Sequence, residues 1–255
     1  MDFKEEFEKK VMKETKKLIK KDKKLLVAVS GGKDSITILY LLHKWGYDVE
    51  ALMIDLGFRF FKEHVDNVME FCRELGIKLH IASVKKELGR GMRELQLRAG
   101  KSNCCTCGVI KRWLINRKAK ELGFKKVVTG HNLDDYAESI LMNIFMNNRN
   151  ASRNLRSPFR IKPLNYIPEK EIEKYAREMG FKINYEACPY SDNAFRRLVL
   201  NMMREYEISA MNVVKMFEKT SMKGERKFRK CSICGGPSSG EICNACRLIN
   251  LIKKK

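Results

Sequence analysis

Long hydrophobic runs are missing from this sequence of 255 residues. The longest apolar stretches, Leu25–Val29 and Ile36–Leu42, fall far short of the ~18–20 residues that a membrane-spanning helix needs. The stretch from Met1 to Glu6 also has none of the hydrophobic character of a signal peptide. We therefore expect a cytoplasmic protein that has no membrane partner.

Acidic residues are scarce relative to basic ones. The chain has 31 Asp and Glu against 52 Lys and Arg, which gives a formal net charge of +21. Such an excess attracts polyanions, and the phosphate backbones of nucleic acids are the usual ones. Charge alone does not distinguish tRNA from rRNA, DNA or an anionic membrane surface. The apolar share of 44% is that of a globular protein with a core, which argues against a disordered chain.

Internal repeats are absent, and the order of segments indicates the fold instead. Short apolar runs typical of buried strands stand at Leu25–Val29, Val49–Ile54, Leu79–Ala82 and Val127–Thr129. Helices are predicted between and after them, among others at residues 62–75, 108–122, 133–147, 169–180 and 194–219. Strands that alternate with helices predict an α/β protein with a doubly wound parallel sheet. We expect a basic helix at residues 1–22, the main domain at 23–222, and a small zinc ribbon with a basic tail at 223–255.

A glycine-rich turn follows the first predicted strand and opens the next helix. Its residues are Ser30-Gly31-Gly32-Lys33-Asp34-Ser35. Glycines let the backbone come close to a ligand, and amides at a helix N-terminus bind phosphate. The Gly-x-x-x-x-Gly-Lys-Ser spacing of a Walker A loop is absent, so the turn is not that motif. An ordinary strand–helix turn is the alternative, but the position directly after a buried strand favours phosphate binding.

The turn after the fourth predicted strand carries two adjacent carboxylates. Its residues are Gly130-His131-Asn132-Leu133-Asp134-Asp135. Carboxylates at a helix start serve as a cap, a metal ligand or an acid–base group. Because sites in such sheets lie beyond the carboxyl ends of the strands, this turn and the glycine-rich turn should face one crevice. Taken alone, the pattern favours capping, and a structural hydrogen bond is the simpler interpretation of His131.

Nine cysteines in a reducing compartment need a role other than disulfide formation. The run Cys104-Cys105-Thr106-Cys107 stands directly before the helix predicted at 108–122, where thiols have a depressed pKa and are available as ligands or nucleophiles. A lone Cys-x-x-Cys is a redox pair or half of a metal site, but Cys188 supplies a distant third thiol. Cys72, among apolar neighbours on a helix, is interpreted as a core residue.

The tail contains two further Cys-x-x-Cys pairs. Cys231 and Cys234 are separated from Cys243 and Cys246 by a segment rich in glycine and serine. Four cysteines at this spacing predict a tetrahedral zinc site in which every ligand position is filled, so the zinc would be structural.

These motifs together resemble the PP-loop ATP pyrophosphatases of the tRNA 2-thiouridine synthetase family, over about residues 22–250, and most of all the type that modifies position 54 of tRNA. The resemblance implies that the main domain binds ATP and Mg²⁺. The residues implied to contact ATP are Ala28, Val29, Ser30, Gly31, Gly32, Lys33, Asp34, Ser35, Ile54, Lys111 and Gly130. The residues implied to be catalytic are Asp34, Lys111, Asp134 and Asp135, with the choice between the last two left open. Ile54 is alternatively a core residue, and Lys111 a surface lysine.

The resemblance also gives the three cysteines a role. In these enzymes, two cysteines of a Cys-x-x-Cys and one later cysteine bind a [4Fe–4S] cluster. The ligands here would be Cys104, Cys107 and Cys188, with Cys105 as a competitor for the place of Cys104. Three thiolates leave one iron open to hold sulfide, like the open position of a catalytic metal. The alternative is a persulfide on one thiol, with a second thiol that resolves a disulfide.

The reaction implied by the resemblance is thiolation of RNA. ATP would adenylate the C2 carbonyl of a tRNA uridine, and sulfur from sulfide or from a thiocarboxylated ubiquitin-like carrier would replace the oxygen to give 2-thiouridine. A homodimer is usual in these enzymes. The rivals are another adenylating PP-loop enzyme, of the lysidine or amidotransferase kind, and a non-catalytic RNA-binding module with zinc. Because no cysteine precedes Cys72, the N-terminal zinc finger usual in these enzymes is missing, which leaves the target open among uridine 54, uridine 34 and cytidine 32.

Overall fold

A parallel sheet of five strands forms the centre of the computed structural model, which describes residues 2–19, 24–148, 159–183, 185, 188–191, 194–220 and 229–253. The strands are β1 (Leu25–Val29), β2 (Val49–Asp55), β3 (Lys78–Ser83), β4 (Val127–Thr129) and β5 (Arg160–Ile161). They lie in the order β3-β2-β1-β4-β5, and every neighbouring pair is parallel.

Helices connect and cover these strands. They are α1 (Phe3–Leu18), α2 (Lys33–Lys44), α3 (Lys62–Glu74), α4 (Val84–Leu88), α5 (Met92–Ala99), α6 (Asn103–Glu121), α7 (Leu133–Phe145), α8 (Glu169–Glu178), α9 (Ala194–Glu205), α10 (Ala210–Thr220) and α11 (Asn244–Lys253). A 3₁₀ turn at Arg59–Phe61 precedes α3, and a small antiparallel pair, β6 (Arg229–Lys230) and β7 (Pro237–Ser238), precedes α11.

Alternating side chains explain why helices cover both faces of the sheet. In β1, Val27 and Val29 belong to one buried cluster, whereas Leu26 belongs to a second one. In β2, Met53 and Ile54 divide in the same way. Successive side chains of a strand point to opposite faces, so both faces need apolar cover. The first cluster contains residues of α1, α2, α3 and α8, and the second contains residues of α5, α6 and α11. This arrangement confirms the predicted doubly wound α/β fold.

The N-terminal helix α1 packs on the main sheet domain. Phe7 is 1% exposed, and its ring stacks on Tyr175 of α8 with centroids 4.5 Å apart. The Tyr175 hydroxyl donates a hydrogen bond of 2.6 Å to Glu8, which ties the two helices together. The predicted domain boundaries at 22/23 and 222/223 both lie outside the described residues.

The predicted elements differ from the structure in several places. The helix predicted at 108–122 begins earlier, at Asn103, because Ser102 supplies its N-cap. The helix predicted at 194–219 is broken into α9 and α10, and Glu207 between them has a φ of 47°. Strand β5 was not predicted, because two residues are too few to give an apolar pattern. Among the described residues, no helix has the length and apolar character needed to span a membrane.

Candidate active site

The glycine-rich turn, called the PP-loop below (Ser30 to Ser35), is stabilised by its own serines. The Ser30 amide donates to the Ser35 hydroxyl (3.1 Å), which in turn donates to the Gly32 carbonyl (3.0 Å). Gly31 has a φ of +82°, a conformation that favours glycine, and Gly32 is the N-cap of α2. The loop therefore sets the positive end of the α2 dipole at the carboxyl end of β1, an arrangement that binds phosphate.

The turn after β4 presses directly against the PP-loop. A Cβ atom added to Gly130 would lie 2.7 Å from the carbonyl carbon of Asp34 and 2.7 Å from the nitrogen of Ser35, so a side chain does not fit there. The Asn132 side-chain amide donates to the Asp34 carboxylate at 3.3 Å. The two turns expected to face one crevice are thus in contact.

Asp34 is the acid of the PP-loop. The Lys33 ammonium lies 3.6 Å from its carboxylate and 2.6 Å from that of Glu169. Burial raises the pKa of Asp34 to about 6, while Lys33 and Asn132 oppose that rise. A carboxylate beside a phosphate-binding loop offers the oxygen ligand that Mg²⁺ prefers.

The adjacent aspartates Asp134 and Asp135 have different surroundings. The Asp134 carboxylate accepts a hydrogen bond of 2.7 Å from the Glu169 amide at the start of α8. Asp135 lines the cleft described below, closes a capping box with Asn132 and accepts a hydrogen bond of 3.1 Å from Arg196. Asp134 therefore caps a helix, whereas Asp135 stands at the candidate site.

Arg196 joins Asp135 to a second acid on the same face of α7. Its Nε lies 2.7 Å from the carboxylate of Glu138, which is 3% exposed. Burial raises the pKa of Glu138 to about 6, and Arg196 opposes the rise. The pair of ion contacts fixes the first turn of α9 against α7.

The cysteines predicted to form a ligand set lie in one cleft. Cys104 and Cys107 are one turn apart inside α6, where the Cys105 amide donates to the capping Ser102 hydroxyl (3.2 Å). Both line the cleft together with Cys188, whereas Cys105 does not line it. The Cys104 thiol lies 3.7 Å from the Ser191 hydroxyl, close to Cys188 in sequence.

The pKa of Cys107 corrects one expectation from the sequence. Burial raises the pKa of this thiol, Lys111 opposes the rise, and the neighbouring Cys188 and Cys104 add to it. The depressed pKa expected for a thiol at a helix start is therefore absent at Cys107. A bound metal would stabilise the thiolate there, because a coordinating thiol is deprotonated.

Cationic side chains line the cleft beside the cysteines and the PP-loop. They are Lys111, Arg112, Arg160 and Lys162. Burial and the neighbouring Arg112 lower the pKa of Arg160 to about 10. Two guanidinium groups that repel each other in one cleft favour an anionic ligand between them.

His131 lines the cleft with these cations and is exposed to it. Desolvation by the surrounding protein and the charge of Lys162 lower the pKa of its imidazole to about 4. Nδ1 lies 2.9 Å from the Thr129 hydroxyl. The imidazole is therefore neutral at pH 7 and makes the structural hydrogen bond that the simpler interpretation expected.

A single cleft of about 2430 Å³ contains these groups. Pockets for small molecules measure roughly 300–1,000 Å³, so the cleft has room for ATP and also for one nucleotide that belongs to a second substrate. The predicted site residues that line it are Ala28, Val29, Ser30, Asp34, Ser35, Ile54, Cys104, Cys107, Lys111, Gly130, Asp135, Cys188, Cys234, Cys243 and Cys246. Gly31, Gly32, Lys33 and Asp134 belong to the turns beside it and do not line it. Ile54 is both core and cleft wall, since it is 6% exposed.

Sequence reasoning missed several residues of this cleft. Arg160, Lys162 and Arg196 lie in segments without a motif, and Phe58, Phe60 and Tyr190 form an aromatic group on its wall. Tyr190 stands two residues after Cys188, which is the one signal that could have drawn attention to it.

The tail cysteines form a second, compact group, of which Cys234, Cys243 and Cys246 also line the cleft. The thiols of Cys231, Cys234, Cys243 and Cys246 all lie within 4.8 Å of one another, which fits one tetrahedral ion. The amides of Cys243 and Cys246 donate to the thiols of Cys231 and Cys243 at 3.3 and 3.4 Å. Amide donors outweigh the effect of burial at Cys231 and lower its pKa to about 6, whereas burial raises the pKa of Cys243 and of Cys246.

Comparisons with known proteins agree with this site. A family model for the PP-loop domain matches residues 3–206. The tRNA-5-methyluridine(54) 2-sulfurtransferase of Pyrococcus horikoshii is 35% identical, over 99% of this chain and 87% of its own length. Cytoplasmic tRNA 2-thiolation protein 1 of Caenorhabditis elegans is 32% identical, over 91% of this chain and 69% of its own length.

A solved structure extends the likeness to three dimensions. The U34-tRNA thiolase NcsA from Methanococcus maripaludis, determined with its [4Fe-4S] cluster, matches with a TM-score of 0.82 and 31% identity. The match covers 96% of this chain and 87% of that chain. The chain thus belongs to the PP-loop family, in which its similar relatives are named as tRNA sulfurtransferases and thiolases.

Proposed function

We propose that the protein is a tRNA sulfurtransferase that uses ATP to convert a tRNA uridine to 2-thiouridine. The observation that carries the proposal is the cleft, which brings the PP-loop residues Ser30 and Asp34 together with Cys104, Cys107 and Cys188. A PP-loop enzyme that couples adenylation to an amine has no use for these thiols, and an RNA-binding module has no use for the PP-loop. The names of the relatives point in the same direction.

ATP is needed because a carbonyl oxygen is a poor leaving group. In the proposed first step, the C2 oxygen of the uridine attacks the α-phosphate, and pyrophosphate leaves. The PP-loop amides at the start of α2 bind the phosphates, Asp34 binds Mg²⁺, and Lys111 neutralises the charge that develops on the α-phosphate. Ala28, Val29 and Ile54, which line the cleft at the ends of β1 and β2, contact the adenosine of ATP in this proposal.

Asp135 is the aspartate that we assign to proton transfer. Attack through the C2 oxygen makes the N3 proton of the base acidic, and a carboxylate at the cleft wall can accept it. Asp135 lines the cleft, whereas Asp134 does not line it and points to the Glu169 amide.

The cleft cysteines fit a [4Fe–4S] cluster better than a single closed ion site. Cys104 and Cys107 are partly exposed, Cys188 is exposed, and all three line the cleft, whereas Cys231 and Cys246 of the compact tail group are buried. A cluster held by the three cleft thiolates would supply one iron able to bind sulfide. Sulfur delivered in this cleft attacks C2 of the adenylated base, and AMP leaves with the former carbonyl oxygen.

The remaining features fit an RNA substrate. Arg112 and Arg160 supply cationic groups inside the cleft, and the net charge of +21 extends the attraction over the surface. The tail would hold Zn²⁺ through Cys231, Cys234, Cys243 and Cys246 and support a basic surface for the tRNA. The donor would be sulfide or a thiocarboxylated carrier, and the assembly a homodimer.

An anaerobic preparation tests the cofactor assignment. We expect about four irons and one zinc per chain, as a [4Fe–4S] cluster and a Cys₄ site require, together with absorption near ~400 nm. Cys104→Ala, Cys107→Ala and Cys188→Ala should each lose the iron and keep the zinc, while Cys105→Ala, the matched control, keeps both. Zinc without iron after reconstitution would leave the persulfide route, and full activity of all three alanine variants would favour an amine-coupling enzyme.

A further inference from the structure

Among the three cysteines predicted to bind a cluster, Cys188 has the least support from regular structure. Cys104 and Cys107 are fixed within α6, whereas Cys188 is exposed and its segment, residues 188–191, belongs to no helix or strand. One backbone hydrogen bond, from the Ser191 amide to the Cys188 carbonyl (3.0 Å), forms a tight turn in this segment. The turn shapes the segment but does not attach it to α6.

An aromatic contact attaches the segment to the core. The Tyr190 ring centroid lies 5.0 Å from that of Phe58 and 5.8 Å from that of Phe60, and these two rings stack on each other at 5.1 Å. Phe58 is 8% exposed and belongs to the buried cluster that also contains Ile110 of the cysteine helix. The position of Tyr190 is therefore tied to the same core as α6.

Arg93 links the two cysteine-bearing segments directly. Its guanidinium lies 4.7 Å from the centroid of the Tyr190 ring, close enough for a cation–π interaction. Its Nη1 also donates to the Asn103 side chain at 3.4 Å, and Asn103 is the residue before Cys104. One arginine thus contacts a residue next to Cys104 and a residue two positions after Cys188.

We propose that Tyr190 is a positioning residue, which through Phe58, Phe60 and Arg93 holds Cys188 beside Cys104 and Cys107. The proposal rests on the proposed role of the three thiols as one ligand set. A ligand on an irregular segment binds well only if the segment is held near its bound position beforehand, because the ordering then costs less at binding. The aromatic ring makes all of these contacts, so phenylalanine should replace tyrosine at this position without loss.

The chain offers a matched control for this contact. Tyr185 lies three residues before Cys188, and the Arg177 guanidinium lies 4.5 Å from its ring centroid. Tyr185 is 47% exposed and does not line the cleft. Tyr185→Ala therefore removes an arginine–tyrosine contact from the same part of the chain without touching the aromatic contact of Tyr190.

The direct test uses the metal-free, reduced protein in a Cys105→Ser background. A bifunctional thiol reagent joins Cys107 to Cys188, and peptide mass spectrometry measures the rate at which the cross-link forms. Tyr190→Ala should slow the reaction roughly tenfold, the size expected for one aromatic plus one cation–π contact. Tyr190→Phe and Tyr185→Ala should react like the parent protein. If Tyr190→Ala does not fold, Arg93→Met takes its place in the test and should also react more slowly.

A second readout follows cluster retention. After reconstitution, Tyr190→Ala should lose its iron to a chelator faster than the Tyr190→Phe variant, while both bind ATP equally. Equal cross-linking by Tyr190→Ala and Tyr190→Phe would overturn the positioning role. If the wild-type protein holds no iron at all, the proposed function fails on the cluster, yet the cross-linking rates still decide whether Tyr190 positions Cys188.

Discussion

At the scale of single residues, the two neighbouring aspartates of α7 have different surroundings, from which we predict different roles. Asp134 caps α8, and Asp135 faces the cleft. Asp134→Asn keeps an oxygen that accepts the Glu169 amide, so thiolation should remain close to that of the parent protein. Asp135→Asn should lower the thiolation rate by about a hundredfold or more, as for the loss of a general base. Rates measured at saturating ATP, with melting temperatures as the folding control, decide the assignment, and equal losses in the two variants would contradict it.

Gly130 has a role that depends on close backbone contact. Alanine there would put a Cβ atom 2.7 Å from the backbone of Asp34 and Ser35, so the PP-loop must move. Overpacking of this kind costs roughly 1–3 kcal/mol, and we expect ATP affinity to fall at least about tenfold. Gly91→Ala is the control, because a Cβ at Gly91 meets nothing within 4 Å and its φ is −72°. Calorimetric titration with ATP measures both variants, and unchanged binding in Gly130→Ala would show that the loops are not in close contact.

His131 makes a prediction about pH. Desolvation by the surrounding protein and the charge of Lys162 lower its pKa from 6.5 to about 4. The unfolded chain therefore binds this proton between pH 6.5 and 4 while the folded protein does not, so the free energy of unfolding falls as pH falls through that window. His131→Gln should weaken this pH dependence. In an NMR titration of the four histidines, the signal that disappears in His131→Gln should titrate near pH 4. Titration near 6.5 would mean that the cationic side chains lie elsewhere.

At the scale of elements, the tail and the cysteine helix depend on each other. Leu248 and Ile252 of α11 are buried in the cluster that contains Ile110 and Leu114 of α6. Of the thiols that would hold zinc, two (Cys243 and Cys246) lie at the start of α11 and two (Cys231 and Cys234) in the turn between β6 and β7, so bound zinc would fix this helix against α6. Folding energy and metal binding are coupled in such sites.

Loss of the tail zinc should therefore weaken the protein beyond the tail. Cys243→Ser should lose zinc, lower the melting temperature by several degrees, and release iron more readily because α6 loses its cover. Leu248→Ala, which leaves all four thiols in place, should keep the zinc and still cost about 2–5 kcal/mol of stability by opening a cavity. Metal analysis and thermal unfolding measure both. A Cys243→Ser variant without zinc but with the parent melting temperature would show that the tail is an independent unit.

The elements that could be predicted are those whose pattern is local. Four of the five sheet strands follow from apolar runs, and the PP-loop follows from its glycines and serines directly after β1. Strand β5 and the break between α9 and α10 could not be predicted, because neither has a local signal. The roles of Asp134 and Asp135 depend on α8, which begins 34 residues after Asp135, so only the folded chain distinguishes them.

At the scale of the whole molecule, the sheet topology explains why distant motifs meet. β1 lies beside both β2 and β4, so the PP-loop, Ile54 and the turn at Gly130 all lie at the carboxyl ends of three neighbouring strands. The cysteine helix α6 precedes β4 and packs on the sheet face to which Leu52 and Ile54 of β2 belong, which brings Cys107 to that end of the sheet. Motifs from residues 28 to 191 thereby line one cleft, in a molecule whose net charge of +21 suits an RNA substrate.

Sulfur transfer to tRNA is the central claim, and one assay tests it most directly. The reconstituted protein is incubated anaerobically with tRNA, ATP, Mg²⁺ and sulfide, and the RNA is then digested to nucleosides and analysed by mass spectrometry. We expect a 2-thiouridine nucleoside that requires ATP and appears with release of AMP and pyrophosphate. It should be absent with Cys104→Ala, Cys107→Ala and Cys188→Ala and form far more slowly with Asp135→Asn. Release of AMP and pyrophosphate in a tRNA-dependent reaction that yields no thionucleoside with any tRNA pool would contradict sulfur transfer and indicate a different adenylating PP-loop enzyme.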